Sequence, residues 1–270
     1  MDRETANSIF NEIKSFKYTS LEYSEPDDIL NSEVLCFNSD AIILYTPEEK
    51  YIKIHWASND AESILNIVGN LKNEIYIEFI PEEFLDQFSN YGLSMHSEFL
   101  DFFNMDLQNN VPTSICVNDI LFLTLNECCN ASELTKECES DSRGFKGDTE
   151  EWFKEWINSE YGKVIIIKEQ ELIAGLCCVN LYDIENKAGP TAWFREIVVK
   201  PCYRGRGFGK KLFEQAICYA VAIGAKRGFL HCDVENKNAI SLYNKYGFYS
   251  KQERGQINMK RSAQGGEFEL

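Results

Sequence analysis

The chain has 270 residues, and its 43 Asp and Glu against 27 Lys and Arg give a formal charge of -16 at pH 7. Such a surplus of acid lacks the cationic surface that phosphate backbones and anionic membranes attract, which disfavours nucleic-acid and membrane-surface binding. With 44% hydrophobic and 13% aromatic residues the chain can bury a core, which excludes wholesale disorder.

Met1-Asp2-Arg3-Glu4-Thr5 has no basic segment leading into an apolar run, and no apolar stretch approaches the ~20 residues of a membrane span. The 10 cysteines stand alone or as adjacent pairs, with no Cys-x-x-Cys and no histidine beside them. We therefore expect a cytoplasmic protein that holds no metal and uses cysteine as a small buried hydrophobe.

Ile9, Ile13 and Phe16 predict a first helix. Strands are predicted at 33–37, 41–45 and 51–56, a helix at 61–71, a strand at 74–80 and a helix started by Pro81 and ended at Gly92. A strand region over 96–107 follows. Then come a strand at 120–126, helices at 131–139 and 150–157, a hairpin of 163–168 with 172–181, and a strand at 191–199. A helix after residue 209 stops at Gly224, and 229–234 is a strand. Asn236 caps a helix ending at Gly247, and strands at 248–253 and 256–260 close the fold.

The charge is unevenly placed. Residues 1–112 hold 21 acids and 6 bases, and the remainder holds 22 and 21. This shift predicts an acidic α/β domain over 1–112, a second domain over 113–261, and a tail at 262–270. The acidity has two readings, a solvated face and a border that attracts a cationic substrate.

Within the second domain, Lys200, Arg204, Arg206, Lys210 and Lys211 form a basic stretch free of acid, interleaved with Gly205, Gly207 and Gly209 between a strand and a helix start. Glycines let several amides turn toward one ligand, and a helix N-terminus adds partial positive charge, so the pattern suits a pyrophosphate. It fails G-x-G-x-x-G, because Lys210 stands at the last glycine, and it fails the P-loop pattern.

The stretch fits R-x-x-G-x-G through Arg204, Gly207 and Gly209, preceded by V-x-P at Val199 and Pro201. Asn236, Ala239, Leu242, Tyr243, Gly247 and Phe248 then fill N-x-x-A-x-x-L-Y-x-x-x-G-F. Together, and in this order, the two motifs resemble the hallmarks of the GNAT superfamily of acyl-CoA-dependent N-acyltransferases over about 113–261. The resemblance implies a mixed, mostly antiparallel sheet flanked by helices, an α/β (α+β) fold preceded here by a smaller α/β domain. It implies an N-acetyltransferase that passes the acetyl group of acetyl-CoA directly to a primary amine of a small molecule or peptide. Arg204, Gly205, Arg206, Gly207, Phe208, Gly209 and Lys210 would hold the pyrophosphate. Backbone groups of Ile197, Val198 and Val199 would hold the pantetheine arm, with Asn236 nearby. An amide near Val198 or Val199 would face the oxyanion.

By the same resemblance Tyr243 is the general acid for the departing thiolate. Glu196 is the candidate base, although relatives carry their acid about three residues earlier, where Trp193 stands; a strand bulge would turn Glu196 toward the substrate. His231 and Asp233 are weaker candidates. Residues 139–150 and 182–190, where acceptor-pocket loops would fall, carry no pattern. The alternative is a non-catalytic acyl-CoA-binding or regulatory module. At an offset of 155 residues, Asn90-Tyr91-Gly92-Leu93 aligns with Lys245-Tyr246-Gly247-Phe248 and Phe88 with Tyr243. On this alignment the first domain is a degenerate relative of the second, without coenzyme binding.

Overall fold

The computed structural model describes residues 1–263 apart from 25–28, 113–114, 140–141 and 144. The chain folds as two compact units, Met1–Glu98 together with Arg254–Leu270, and Phe99–Glu253. The tail predicted at 262–270 lies outside the described residues from 264 onward.

Helix α1 (Arg3–Glu12) starts where the Asp2 carboxylate accepts the Thr5 amide at 2.8 Å, and it buries Ala6 and Ile9. The short β1 (Tyr18–Thr19) precedes β2 (Glu33–Phe37), β3 (Ala41–Pro47) and β4 (Ile52–Ser58), which pair antiparallel in that order. Helix α2 (Ala61–Val68) carries the chain to β5 (Ile75–Ile77), which runs parallel to β4. A 3-10 turn at Glu82–Phe84 enters α3 (Leu85–Asn90), and β6 (Ser94–Asn104) follows.

Beyond β7 (Leu121–Phe122), a capping box of Thr124 and Glu127 starts the turn leading into α4 (Cys128–Glu137), so the strand predicted at 120–126 is cut to two residues. Thr149 caps α5 (Glu150–Asn158). Strands β8 (Lys163–Glu169), β9 (Leu172–Tyr182) and β10 (Thr191–Val199) continue the antiparallel order from β7. Gln170 and Glu171 turn the hairpin with φ 49 and 66, the left-handed pair that suits a two-residue connection. Helix α6 (Phe208–Ala222) leads to β11 (Arg227–Asp233), parallel to β10, and α7 (Lys237–Lys245) leads on to β12 (Gln256–Arg261). The fold is the mixed, mostly antiparallel sheet with flanking helices. The unbroken apolar run of β8 follows from helices on both faces: Ile165 and Ile167 join the core that includes Leu212 and Phe213 of α6, and Val164 and Ile166 the core that includes Leu134 of α4 and Phe153 of α5.

The boundary differs from the one predicted at 112. Gly228–Asp233 of β11 pairs antiparallel with Phe99–Asn104, and Met259–Arg261 of β12 pairs with Ile75–Ile77 of β5. The end of β6 therefore completes the second unit and the end of the chain completes the first. For the same reason 248–253 forms no strand: the slot beside β11 is filled by β6, and Tyr249 makes only an isolated bridge to Phe103. A charge count cannot register either pairing.

The units repeat one plan: antiparallel strands, a helix, a parallel strand, a helix, and an antiparallel closing strand. The ends of α3 and α7 agree bond for bond. Tyr91 and Tyr246 amides donate to the carbonyls of Phe88 and Tyr243, Gly92 and Gly247 to Ser89 and Asn244, and Leu93 and Phe248 again to Phe88 and Tyr243, all between 3.0 and 3.2 Å. Gly92 and Gly247 both need positive φ, 81 and 75, to make this stop.

Candidate active site

Strands β10 and β11 pair only over Thr191–Trp193 and Arg227–Phe229, and then part. On its other edge β10 carries a register shift between Arg195 and Val198, after which Val198 and Val199 pair with Leu176 and Gly175. Glu196 sits in this bulge with φ 51, a left-handed conformation uncommon for a residue with a side chain. The backbone of Ile197–Val199 is thus left without a strand partner on the β11 side.

The chain leaves β10 through a 3-10 turn, Pro201–Tyr203, and enters α6. Gly205 and Gly207 have φ 74 and 81, and a Cβ on either would meet nothing within 4 Å. The first backbone bond of the helix runs from Lys211 to Gly207, so the amides of Gly205 through Lys210 have no protein acceptor among the described residues. These donors at the start of a 15-residue helix make a concave anion cradle.

The cationic side chains are less free than their spacing suggests. Lys200 pairs with Glu137 at 3.0 Å and Lys210 with Glu214 at 2.8 Å. Arg204 folds back, its Nε donating to the Val199 carbonyl at 3.0 Å and its Nη2 to Cys138 Sγ at 3.6 Å. It ties the loop to the strand end. Arg206 stacks over Tyr203 at 5.2 Å, and neither Arg206 nor Lys211 has an ion pair among the described residues. Phe208, half-buried, packs near Tyr203, and Gly209 brings α6 within 3.8 Å of a Val199 methyl. Asn236 caps α7, its Oδ1 accepting the Ala239 amide at 3.2 Å, and lines a cleft of about 310 Å³ with Arg143, Asp233 and Lys237.

Tyr243 projects from α7 into the core of the second unit, its ring 5.0 Å from Phe213 and 6.4 Å from Phe102. Burial, and then the nearby Cys232 and Cys177, hold its hydroxyl well above the ordinary phenol range, so it stays protonated. Such a group gives up a proton only to a strong base formed beside it.

Glu196 is nine-tenths buried. Its Oε1 accepts from Arg195 Nε at 3.0 Å and Nη2 at 2.9 Å, while Oε2 is buried without a hydrogen-bond partner. The Arg195 guanidinium lies over Trp152, Trp193 and Trp156 at 4.8, 5.1 and 5.6 Å. Trp193 is therefore part of a stacked cage, and the acid has moved into the bulge.

The two weaker base candidates are placed otherwise. His231 stands on the exposed face of β11, with Nδ1 3.5 Å from Asp101. Asp233 accepts Arg143 Nε at 2.8 Å and the Glu235 amide at 2.9 Å. Burial alone would raise Asp233, but the hydrogen bonds and charge of Arg143, with the Glu235 amide, hold it below the usual carboxylate range. It is a loop anchor and no base. Arg143→Ala is expected to cost ~2 kcal/mol by orphaning this carboxylate, read as a lowered unfolding midpoint.

Sequence reasoning missed Asp148. Burial and then the charge of Glu196 raise its carboxyl to about 6 against Arg195, and its Oδ2 is buried without a hydrogen-bond partner. The only local signal is the preceding Gly147, whose φ is 75. The described residues contain no cluster of three or more metal-ligating side chains and no helix long and apolar enough to cross a membrane, and the 10 cysteines are free thiols.

A parted pair of parallel strands beside a glycine cradle and a buried tyrosine defines the second unit as an acetyltransferase fold. Residues 129–248 match the Acetyltransferase (GNAT) family, and through this domain the chain belongs to the GNAT superfamily. Among curated proteins it is similar to an uncharacterized N-acetyltransferase of Methanocaldococcus jannaschii, 31% identical over 103 residues, covering 37% of this chain and 46% of that relative. It also resembles a putative [ribosomal protein bS18]-alanine N-acetyltransferase of Bacillus subtilis, 28% identical over 111 residues, covering 41% of this chain and 70% of that one. The first of these alignments thus spans less than half of the relative's length. Two solved structures share the fold: GCN5-related N-acetyltransferases from Sphaerobacter thermophilus (TM-score 0.56, 14% identity, 92% of this chain and 90% of that one) and from Kribbella flavida (0.51, 10%, 97% and 95%).

Proposed function

We propose that residues 99–253 transfer the acetyl group of acetyl-CoA to a primary amine of a small molecule or peptide. The observation that carries this reading is the run of acceptor-free amides from Gly205 to Lys210 at the mouth of the parted strands. A pyrophosphate would take those amides, aided by the helix dipole and by Arg206, and an extended amide-bearing arm would pair with the backbone of Ile197–Val199. Asn236, at the head of α7, borders the same opening.

In the transfer, Glu196 removes a proton from the acceptor ammonium, and the freed lone pair attacks the thioester carbon. A C–N bond forms and the C–S bond breaks. Tyr243 gives its proton to the departing sulfur and regains one from the nitrogen, which attack has made acidic. The bacterial relative's name carries a protein alanine as acceptor, so peptide amines belong in the first set to be tried.

We propose further that the first unit is a degenerate repeat of the same domain that binds no coenzyme. Its helix α2 begins with Asp60, whose own carboxylate accepts the Ser63 amide at 2.8 Å, so an acid stands where the second unit opens to an anion. Phe88, at the place of Tyr243, has no hydroxyl.

Titration of the whole chain with acetyl-CoA, followed by thiol release across small-molecule and peptide amines, tests the reading. One equivalent bound, with thiol released for a primary amine, supports it. Binding without thiol release for any amine favours a non-catalytic acyl-CoA module.

A further inference from the structure

The loop between α4 and α5 brings a second carboxylate to Glu196. A Cβ on Gly147 would lie 2.7 Å from backbone atoms of Thr135 and Lys136, so only glycine lets the loop seat on the last turn of α4. Asp148 is then held by its backbone: the Ser132 hydroxyl donates to its carbonyl at 2.8 Å, and its amide donates to Thr135 Oγ1 at 3.1 Å. Its side chain is left to face Glu196.

Two oxygens at this place, Asp148 Oδ2 and Glu196 Oε2, are buried with no hydrogen-bond partner. The charged group opposing them is Arg195, which spends Nε and Nη2 on the other Glu196 oxygen. Cys177 and Cys178 of β9 border Glu196, and burial pushes both thiols up, so they bring no charge. Two carboxylates against one guanidinium leave one negative charge uncompensated. A buried carboxylate oxygen without a donor is costly, and an ammonium with three N–H donors supplies what is lacking.

We infer that Asp148 is the second carboxylate of the acceptor site, and that Asp148 Oδ2 and Glu196 Oε2 together receive the –NH3+ of a primary ammonium and take one of its protons. The inference rests on the acetyl-transfer reading and narrows it to amines that arrive charged. A quaternary ammonium has no N–H to give and no proton to lose. The proton leaves nitrogen for a carboxylate oxygen, so the acceptor becomes a neutral amine and the pair loses one negative charge.

The unfilled pair should weaken the free protein, which permits a test without coenzyme. The Asp148 carboxyl is held at about 6 by burial and then by Glu196, above its ordinary 3.8. The wild type therefore has its full stability below the ordinary value and loses part of it as pH rises through about 6. Asp148→Asn cannot ionise. It should melt with the wild type near about pH 4 and ~2–4 °C above it near about pH 7.5, a shift of the size one displaced pKa produces in a chain of this length. n-Butylammonium chloride should raise the wild-type midpoint more than tetramethylammonium chloride at equal concentration, and Asp148→Asn and Glu196→Gln should each abolish the difference. Glu196→Gln is also the second variant for the pH test, because removing its charge should flatten the pH dependence. An Asp148→Asn protein that melts below wild type at every pH, a Glu196→Gln protein with unchanged pH dependence, or a butylammonium effect that survives either change would overturn the inference. None of these readings uses acetyl-CoA, so their failure is distinct from failure of the coenzyme site.

Discussion

Tyr243→Phe is expected to bind acetyl-CoA within about twofold of wild type and to lose about a hundredfold in kcat, the usual scale for removing a positioned acid. The hydroxyl is a small part of a ring packed between Phe213 and Phe102, so the fold survives its loss. Burial keeps the phenol protonated far above neutrality, and so the alkaline side of the rate profile should not come from Tyr243. Thiol release measured with and without the hydroxyl, beside calorimetric binding, separates a proton donor from a packed aromatic. Wild-type kcat in the variant would assign the ring to packing alone.

Gly207→Val should lower acetyl-CoA affinity by tenfold or more. Gly207 holds φ 81 and ψ 5 as the residue that opens α6, and a β-branched side chain there is strained by ~1–2 kcal/mol. Each 1.4 kcal/mol is about tenfold in binding, and the added branch also occupies the space that a phosphate would take. Gly224 is the control. It has φ 106, with nothing within 4 Å of a Cβ, but lies past the other end of the helix. Gly224→Val should lose comparable stability and keep its affinity. Equal loss of affinity in both variants would mean that the cradle is not the binding element.

The parts of the molecule legible in the sequence are those whose signal is local. Arg204, Gly207 and Gly209 mark the cradle because a turn with positive φ before a helix needs glycine at fixed offsets. Asn236 marks the start of α7 because its side chain caps its own helix. The bulge at Glu196 was open to inference only because an acid stood three residues from its usual place. Pairings between distant residues left no such trace. The exchange that gives the end of β6 to the second unit and β12 to the first depends on hydrogen bonds spanning more than a hundred residues of sequence. Lys200 and Lys210 read as free cations because Glu137 comes from α4 and Glu214 lies one helical turn along α6. Asp148 was hidden for a similar reason: its environment is set by the seat of Gly147 on α4 and by a bulge on β10, and neither is a pattern of residue types.

Titration of the whole chain with acetyl-CoA by calorimetry, repeated on Gly207→Val, is the most direct measurement of the central claim. The account predicts one equivalent bound by the wild type, with affinity that falls at least about tenfold in the variant. Two equivalents, or binding that Gly207→Val leaves untouched, would contradict it.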